Sequence, residues 1–167
     1  NRALYLDKLL KQNSQIEVES DENFNKLIED TSIENQLEDL PAELDEVLRD
    51  YQKTGYKWLT TLDKYEFGGI LADDMGLGKT IQILSVVMTT KKEEKGNEAS
   101  LVVAPSSLTL NWKSEAEKFA PDLRILIICG NAEERKKKIK QIKKYDLVIT
   151  SYDLLKRDIE EYDILDY

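Results

Sequence analysis

The sequence has 167 residues, a mass of 19.3 kDa and a net charge of −9, which is enough chain for one domain with an apolar core. One cysteine, Cys129, and no histidine exclude a disulfide framework, a serine-protease triad and a four-ligand Cys/His zinc site within these residues. We therefore expect an intracellular protein. No apolar run approaches the roughly 18 residues that cross a membrane, so no membrane partner is expected. Because the sequence opens with Asn1, we interpret it as a piece of a longer protein.

The acidity belongs to the first part of the chain. Residues 1–47 hold 13 acids and four bases, whereas the remainder holds 20 of each. We predict a boundary near Leu40-Pro41, with an acidic helical segment at residues 1–46 and a separate lobe at residues 47–167. Within the acidic segment, apolar spacing predicts helices at residues 2–12 and after Ser20-Asp21. We interpret this segment as the tail of a preceding domain or a linker.

From residue 47 onward, helices and short apolar strands alternate. The predicted elements are a helix at 49–64, a strand at 68–72, a helix at 79–90, a strand at 101–104, a helix at 107–119, a strand at 125–129, a helix at 132–144, a strand at 147–149 and a helix from about Tyr152. Short apolar strands that alternate with helices are typical of a parallel sheet covered on both faces. The sequence therefore predicts a three-layer α/β/α fold.

A glycine-rich loop lies between the first predicted strand of the lobe and the following helix. It reads Met75-Gly76-Leu77-Gly78-Lys79-Thr80. Glycines let backbone amides turn toward an anion, and the first turn of the next helix adds the positive end of its dipole. Lys79 would add a charge for the β- and γ-phosphates, and the Thr80 hydroxyl would hold Mg²⁺. The loop predicts a site for a nucleotide phosphate.

The loop departs from the general pattern GxxxxGK[ST], because Asp73 stands where that pattern has glycine. For Asp73 and Asp74 we favour turn and capping roles, since carboxylates repel a triphosphate. Three alternatives remain open: a glycine-rich turn with a surface lysine, a different P-loop kinase or GTPase, and a non-enzymatic module whose acidic first segment binds a basic partner. The sequence has no Asn-Lys-x-Asp guanine-binding motif, which speaks against a GTPase.

Four motifs resemble, in order, those of the Swi/Snf family of DNA-dependent ATPases, a branch of the superfamily-two helicases. They are Leu48-Arg49-Asp50-Tyr51-Gln52, Gly69 through Thr80, Val103 through Leu108 with Asn111-Trp112, and Asp146 through Tyr152. Asp73 agrees with this family's version of the loop. The resemblance implies a RecA-like P-loop lobe, the first of the two that the family carries, here truncated and preceded by a small helical segment.

The resemblance also implies roles for individual residues. Gln52 would read adenine, because an amide both donates and accepts, and Arg49 would frame the same pocket. Residues Met75, Gly76, Leu77, Gly78, Lys79 and Thr80 would bind ATP and Mg²⁺, with Lys79 and Thr80 as the catalytic pair. Ser106, Ser107, Thr150 and Ser151 would contact the DNA backbone. The alternatives are a solvent-facing position for Gln52 and helix capping for the hydroxyl residues.

A basic run from Arg135 to Lys144 holds seven lysines and arginines, broken by Ile139 and Ile142. We interpret it as an amphipathic helix with the isoleucines inward and a solvated basic face. A stripe that faces DNA is the alternative.

An ATPase of this kind needs an acidic residue to anchor Mg²⁺ and to orient the attacking water. The strands predicted after the loop end without an Asp-Glu pair, and the family's second lobe is absent from the sequence. The resemblance implies that the parent protein is an ATP-driven double-stranded DNA translocase. The chain alone would bind ATP weakly, would not hydrolyse it and would not form a specific oligomer. Its location would be cytoplasmic, or nuclear in a eukaryote.

Overall fold

The computed structural model describes residues 42–64, 67–92 and 99–162. The helices predicted at 2–12 and after Ser20-Asp21, and the boundary predicted near Leu40-Pro41, lie outside these residues. The chain divides into two compact units, Asn1–Asp74 and Met75–Tyr167, and each is described by itself.

The described part of the first unit is helical. It contains α1 (Ala42–Asp45) and α2 (Asp50–Lys64), and α2 agrees with the predicted helix to within one residue. Tyr56 and Leu62 are 1% and 7% exposed and form part of its buried side. Beyond the end of α2, the Phe67 backbone N–H donates to the Leu62 carbonyl at 2.8 Å. This bond satisfies one of the carbonyls that a helix end leaves without a partner.

The strand predicted at residues 68–72 is wrong. These residues form no strand in the structure, and the Ile70 side chain is 85% exposed. A β-strand forms only where its backbone hydrogen-bonds to a neighbouring strand. An apolar run in the sequence does not show whether such a neighbour is available. Gly69 has a different reason to be glycine. A Cβ there would overlap the Leu62 side chain and would lie 2.8 Å from Trp58 Cη2, so the missing side chain lets this segment lie against α2.

The second unit alternates helices and strands as predicted. Its elements are α3 (Lys79–Lys92), β1 (Ser100–Ala104), α4 (Thr109–Phe119), β2 (Ile125–Ile127), α5 (Ala132–Ile139), β3 (Leu147–Ser151) and α6 (Tyr152–Tyr162), with short 3-10 turns at 106–108 and 142–144. The strands pair in parallel in the order β1-β3-β2. Val148 in β3 aligns with Leu101 on one side and Leu126 on the other.

Two apolar layers cover the sheet. On one face, Leu147 and Ile149 of β3 pack with Leu84 of α3 and Ala116 of α4. On the other face, Val148 packs with Ile139 of α5, with Ile142 of the 3-10 turn that follows α5, and with Tyr162 of α6. Successive residues of a strand point to opposite faces, and all five residues of β3 are buried. The predicted three-layer α/β/α fold is confirmed.

The helix predicted at 132–144 is two pieces, because α5 ends at Ile139 and a 3-10 turn covers 142–144. Residues three apart are aligned in 3-10 geometry. Ile139 and Ile142 are accordingly both buried, at 1% and 2% exposed. The inward direction predicted for both isoleucines is therefore confirmed.

One member of the basic run is not solvated. The Arg135 side chain is 9% exposed and donates to Asp158 through Nε at 2.6 Å and a terminal nitrogen at 2.8 Å. Its other terminal nitrogen donates to the Gly130 carbonyl at 2.9 Å. The guanidinium holds the pKa of the Asp158 carboxyl below its usual value. Arg135 therefore joins α5 to α6 instead of belonging to the solvated face.

Candidate functional site

The glycine-rich loop is a surface turn whose shape depends on two glycines. Gly76 and Gly78 have φ angles of 86° and 74°, a region in which side chains of L-residues are strained. A Cβ on Gly76 would meet nothing within 4 Å, so glycine is required there for conformation and not for space. Met75 is 96% exposed. The loop therefore presents its backbone to solvent, as a phosphate site requires.

Helix α3 begins directly after this loop. Lys79 and Thr80 are its first two residues, both half-buried, and its first turn contains no acidic residue. The positive end of the helix dipole is thus not offset by a carboxylate within that turn. An anion at this position would meet helix N-terminal amides, a lysine and a hydroxyl.

Thr80 is the predicted ligand for Mg²⁺. A hydroxyl oxygen suits this hard cation, which usually keeps several waters and bonds to substrate phosphates, so the residue fits a role as one ligand. Across the described ranges 42–64, 67–92 and 99–162, no group of three or more His, Cys, Asp or Glu side chains has an arrangement that could hold a metal ion.

Gln52 lies near the start of α2, in the first unit. Its side chain is 7% exposed, and its Oε1 accepts a hydrogen bond from the Arg49 backbone N–H at 3.0 Å. This is half of a capping box, in which the side chain of the third helical residue accepts from the N–H of the N-cap residue. The alternative of a solvent-facing Gln52 is therefore wrong. Arg49 itself is exposed, and the adenine-binding roles of both residues stay predictions.

Ser106 and Ser107 are exposed in the 3-10 turn that follows β1. Neither side chain caps a helix, because Pro105 and Leu108 hold the capping positions without a side-chain bond. The capping alternative therefore fails for these two serines. Both hydroxyls remain at the carboxyl edge of the sheet, where they are accessible from outside.

Thr150 and Ser151 differ from those serines in being buried, at 0% and 3% exposed. The Ser151 hydroxyl accepts a hydrogen bond from the Leu154 backbone N–H at 3.4 Å, which is the N-cap arrangement. The Thr150 hydroxyl has no hydrogen-bond partner within the part of the chain that the structure describes. The capping alternative therefore fits Ser151, while the DNA contacts predicted for both residues stay predictions.

Tyr152 is the last residue of the fourth family motif. It is 60% exposed at the same end of β3, where α6 begins.

Most of the basic run is solvated, as predicted. Its exposed members are Lys136, Lys137, Lys140, Lys143 and Lys144. Lys136 forms an ion pair with Glu161 of α6 at 2.6 Å. The half-buried Lys138 donates to the Cys129 carbonyl at 3.0 Å. The alternative of a DNA-facing stripe is untested and stays a prediction.

A three-layer α/β/α sheet with a glycine loop at the start of a helix is shared by P-loop and dinucleotide-binding proteins, and the similarity to a SWI2/SNF2 ATPase core places this fold in the RecA-like class. A model of the SNF2-related domain matches residues 51–166, and the chain belongs to this family.

Relatives and solved structures agree with this membership. The chain is 37% identical, over 87% of its length, to an uncharacterised ATP-dependent helicase of Mycoplasma genitalium. It is 39% identical, over 77% of its length, to the TATA-binding protein-associated factor mot1 of Schizosaccharomyces pombe. The SWI2/SNF2 ATPase core of Sulfolobus solfataricus in complex with dsDNA is 42% identical over 68% of the chain, with a TM-score of 0.61.

The chain spans a small part of each of these proteins. It covers 13% of the Mycoplasma helicase, 7% of mot1 and 23% of the Sulfolobus chain. Among the residues that the structure describes, no helix has the length and apolar character needed to cross a bilayer.

Proposed function

We propose that this chain is the nucleotide-binding part of the first RecA-like lobe of an ATP-dependent motor that moves along double-stranded DNA. The observation that carries the proposal is the turn with two positive φ glycines directly before α3. Family membership supports ATP as the nucleotide, since the relatives include ATP-dependent helicases and a SWI2/SNF2 ATPase core. The second RecA-like lobe of the same parent chain would complete the motor. The parent would act in the cytoplasm, or in the nucleus of a eukaryote.

In this proposal, the loop amides and Lys79 hold the β- and γ-phosphates, and Thr80 supplies one oxygen to Mg²⁺. The metal would neutralise phosphate charge during hydrolysis. Gln52 reads adenine through its amide. Its Oε1 already accepts the Arg49 N–H, so the amide orientation is fixed before the nucleotide arrives.

We propose that double-stranded DNA lies at the carboxyl edge of the sheet. Exposure supports Ser106 and Ser107 as its hydroxyl contacts after β1. At the end of β3, burial of Thr150 and Ser151 leaves the start of α6, including Tyr152, as the accessible group. Contacts of this kind position the duplex without reading its sequence.

We further propose that the isolated chain binds ATP weakly and does not hydrolyse it. Phosphoryl transfer needs a residue that orients the attacking water and a charge that stabilises the transition state. The phosphate loop supplies the Lys79 charge, but it supplies neither a residue that orients the water nor the arginine that the second lobe would bring. Binding by the loop alone would therefore not lead to turnover.

A comparison of ATP hydrolysis tests the proposal. The rate is measured for the isolated chain and for the full gene product, each with and without double-stranded DNA and each beside Lys79→Ala. We expect DNA-stimulated hydrolysis in the full product, loss of that activity on Lys79→Ala, and no turnover by the chain. A full product whose DNA-stimulated rate survives Lys79→Ala would contradict the proposed loop. Turnover by the chain that disappears with Lys79→Ala would contradict the proposed inactivity.

A further inference from the structure

Asp146 is the centre of a charged cluster at the amino edge of the sheet, opposite the proposed DNA edge. Its side chain is 8% exposed. Arg124 donates to it from Nε at 3.1 Å, from a terminal nitrogen at 2.7 Å and from the backbone N–H at 2.7 Å. These bonds hold the pKa of the Asp146 carboxyl far below its usual value. The carboxylate is therefore ionised at neutral pH.

The same carboxylate contacts the far end of α3. Lys91 Nζ lies 3.1 Å from Asp146 Oδ2 and donates to the Asp122 carbonyl at 2.6 Å. The Asp146 carbonyl in turn accepts from the Ser100 N–H at 3.0 Å. Asp146 thus contacts the beginning of β1, the residue before β2 and the end of α3, while it directly precedes β3.

The middle of α3 is held by contacts of another kind. Leu84 packs with Ala116 and β3, and Val87 packs with Ala120 and Leu123. Apolar burial is non-directional, so it fixes how far a helix lies from a sheet better than where the helix lies along its own axis. A short, directional ion pair at one end fixes the axial position.

We propose that Lys91, held by Asp146 and the Asp122 carbonyl, is a positioning residue that sets the axial position of α3 and thereby of the phosphate loop. Helix α3 has 14 residues, so it is about 20 Å long and transmits an axial shift from its end to its start. The residues at its start are Lys79 and Thr80. This inference rests on the proposed function, because it concerns the same phosphate site.

The test uses the full gene product with five variants, the fifth of which is Asp146→Asn. Lys91→Met keeps the length and apolar part of the side chain but removes its charge, and Lys91→Arg restores a donor. Lys113→Met is the matched control, because this substitution removes an exposed ion pair with Glu117 in which both partners belong to α4. Lys79→Ala reports on the phosphate loop itself. The measurements are the Kd of Mg-ATP, the KM and kcat of DNA-stimulated hydrolysis, the Kd of DNA and the Tm.

We expect Lys91→Met to raise the Kd and KM for ATP by about fivefold, the size that the loss of one partly buried ion pair produces. We expect kcat and the DNA Kd to stay within about twofold, since Lys91 contacts neither the reacting atoms nor the DNA edge. Lys91→Arg restores the ATP affinity, and Lys113→Met leaves it unchanged. Asp146→Asn gives a second variant that weakens the same contact and raises the ATP Kd in the same direction.

Three results overturn the inference. In the first, Lys79→Ala abolishes ATP binding while Lys91→Met binds as the original protein does, so that the proposed function survives alone. In the second, Lys91→Met lowers the Tm without changing the ATP Kd, which means a purely structural role. In the third, neither the original protein nor Lys79→Ala binds ATP, and the proposed function fails with the inference.

Discussion

Arg135 of α5 and Asp158 of α6 form a two-point ion pair with N–O distances of 2.6 and 2.8 Å, and both side chains are less than a tenth exposed. Breaking a buried pair from one side leaves the other charge desolvated and uncompensated. The pair therefore fixes how α5 and α6 pack over the second face of the sheet.

We predict that Asp158→Ala lowers the Tm by about 5 °C or more, because it leaves the Arg135 charge buried. The control is Glu117→Ala, which removes an exposed partner of Lys113 within one helix and shifts the Tm by about 1 °C or less. Thermal unfolding followed by circular dichroism measures both. Equal shifts for the two variants would show that the Arg135–Asp158 pair is not desolvated.

Two neighbouring glycines give a matched pair of variants. Gly69→Ala would place a Cβ against Leu62 and within 2.8 Å of Trp58, whereas Gly68→Ala meets nothing within 4 Å. We expect Gly69→Ala to cost about 1–3 kcal/mol of unfolding free energy through overpacking and Gly68→Ala to cost less than about 0.5 kcal/mol. Urea unfolding measures the difference. Adding Leu62→Ala to Gly69→Ala is predicted to produce less loss than the two single changes combined.

The hydroxyl residues at the strand ends differ in exposure, because Ser106 and Ser107 are exposed whereas Thr150 and Ser151 are buried. We expect the double variant Ser106→Ala and Ser107→Ala to weaken DNA binding by about threefold to tenfold. Thr150→Val replaces a fully buried hydroxyl that lacks a partner in the described structure. It should keep or slightly raise stability, and its DNA affinity tests the contact predicted for this residue. Fluorescence anisotropy with a labelled duplex, at fixed salt, measures these affinities. A large loss of binding in Thr150→Val would show that this side chain does reach the DNA.

The lowered pKa of the Asp146 carboxyl makes the stability of the protein depend on pH. Arg124 and Lys91 hold its folded-state pKa below the unfolded value, so its contribution is present above about pH 4, the usual pKa of an aspartate, and is lost as the pH falls further. We expect Asp146→Asn to be less stable than the original protein at pH 7, with the difference shrinking below about pH 4. Urea unfolding at several pH values measures it. A difference that stays constant from pH 7 to pH 3 would contradict the role of the carboxylate charge.

Local patterns predicted the elements of the second unit, because each helix and strand there has its own apolar period. The strand expected at residues 68–72 failed, since pairing depends on a neighbour that no local pattern reveals. The glycine turn before α3 was predictable because its glycines, lysine and threonine lie within five consecutive residues. The ion pairs of Asp146 with Lys91 and Arg124 join residues 55 and 22 positions apart. The sequence placed Arg135 among the solvated basic residues, because its partner Asp158 is distant in the sequence and only the fold brings the two side chains together.

The central claim is that the loop before α3 binds the phosphates of an adenine nucleotide. The most direct test is a titration of the chain with Mg-ATP and Mg-ADP, followed by backbone amide NMR shifts, with Lys79→Ala as the control. We predict that the amides of Gly76, Gly78, Lys79 and Thr80 shift together with Gln52 and that Lys79→Ala shows no such shifts. Unchanged amides in the loop at millimolar nucleotide, or the same shifts in Lys79→Ala, would contradict the claim.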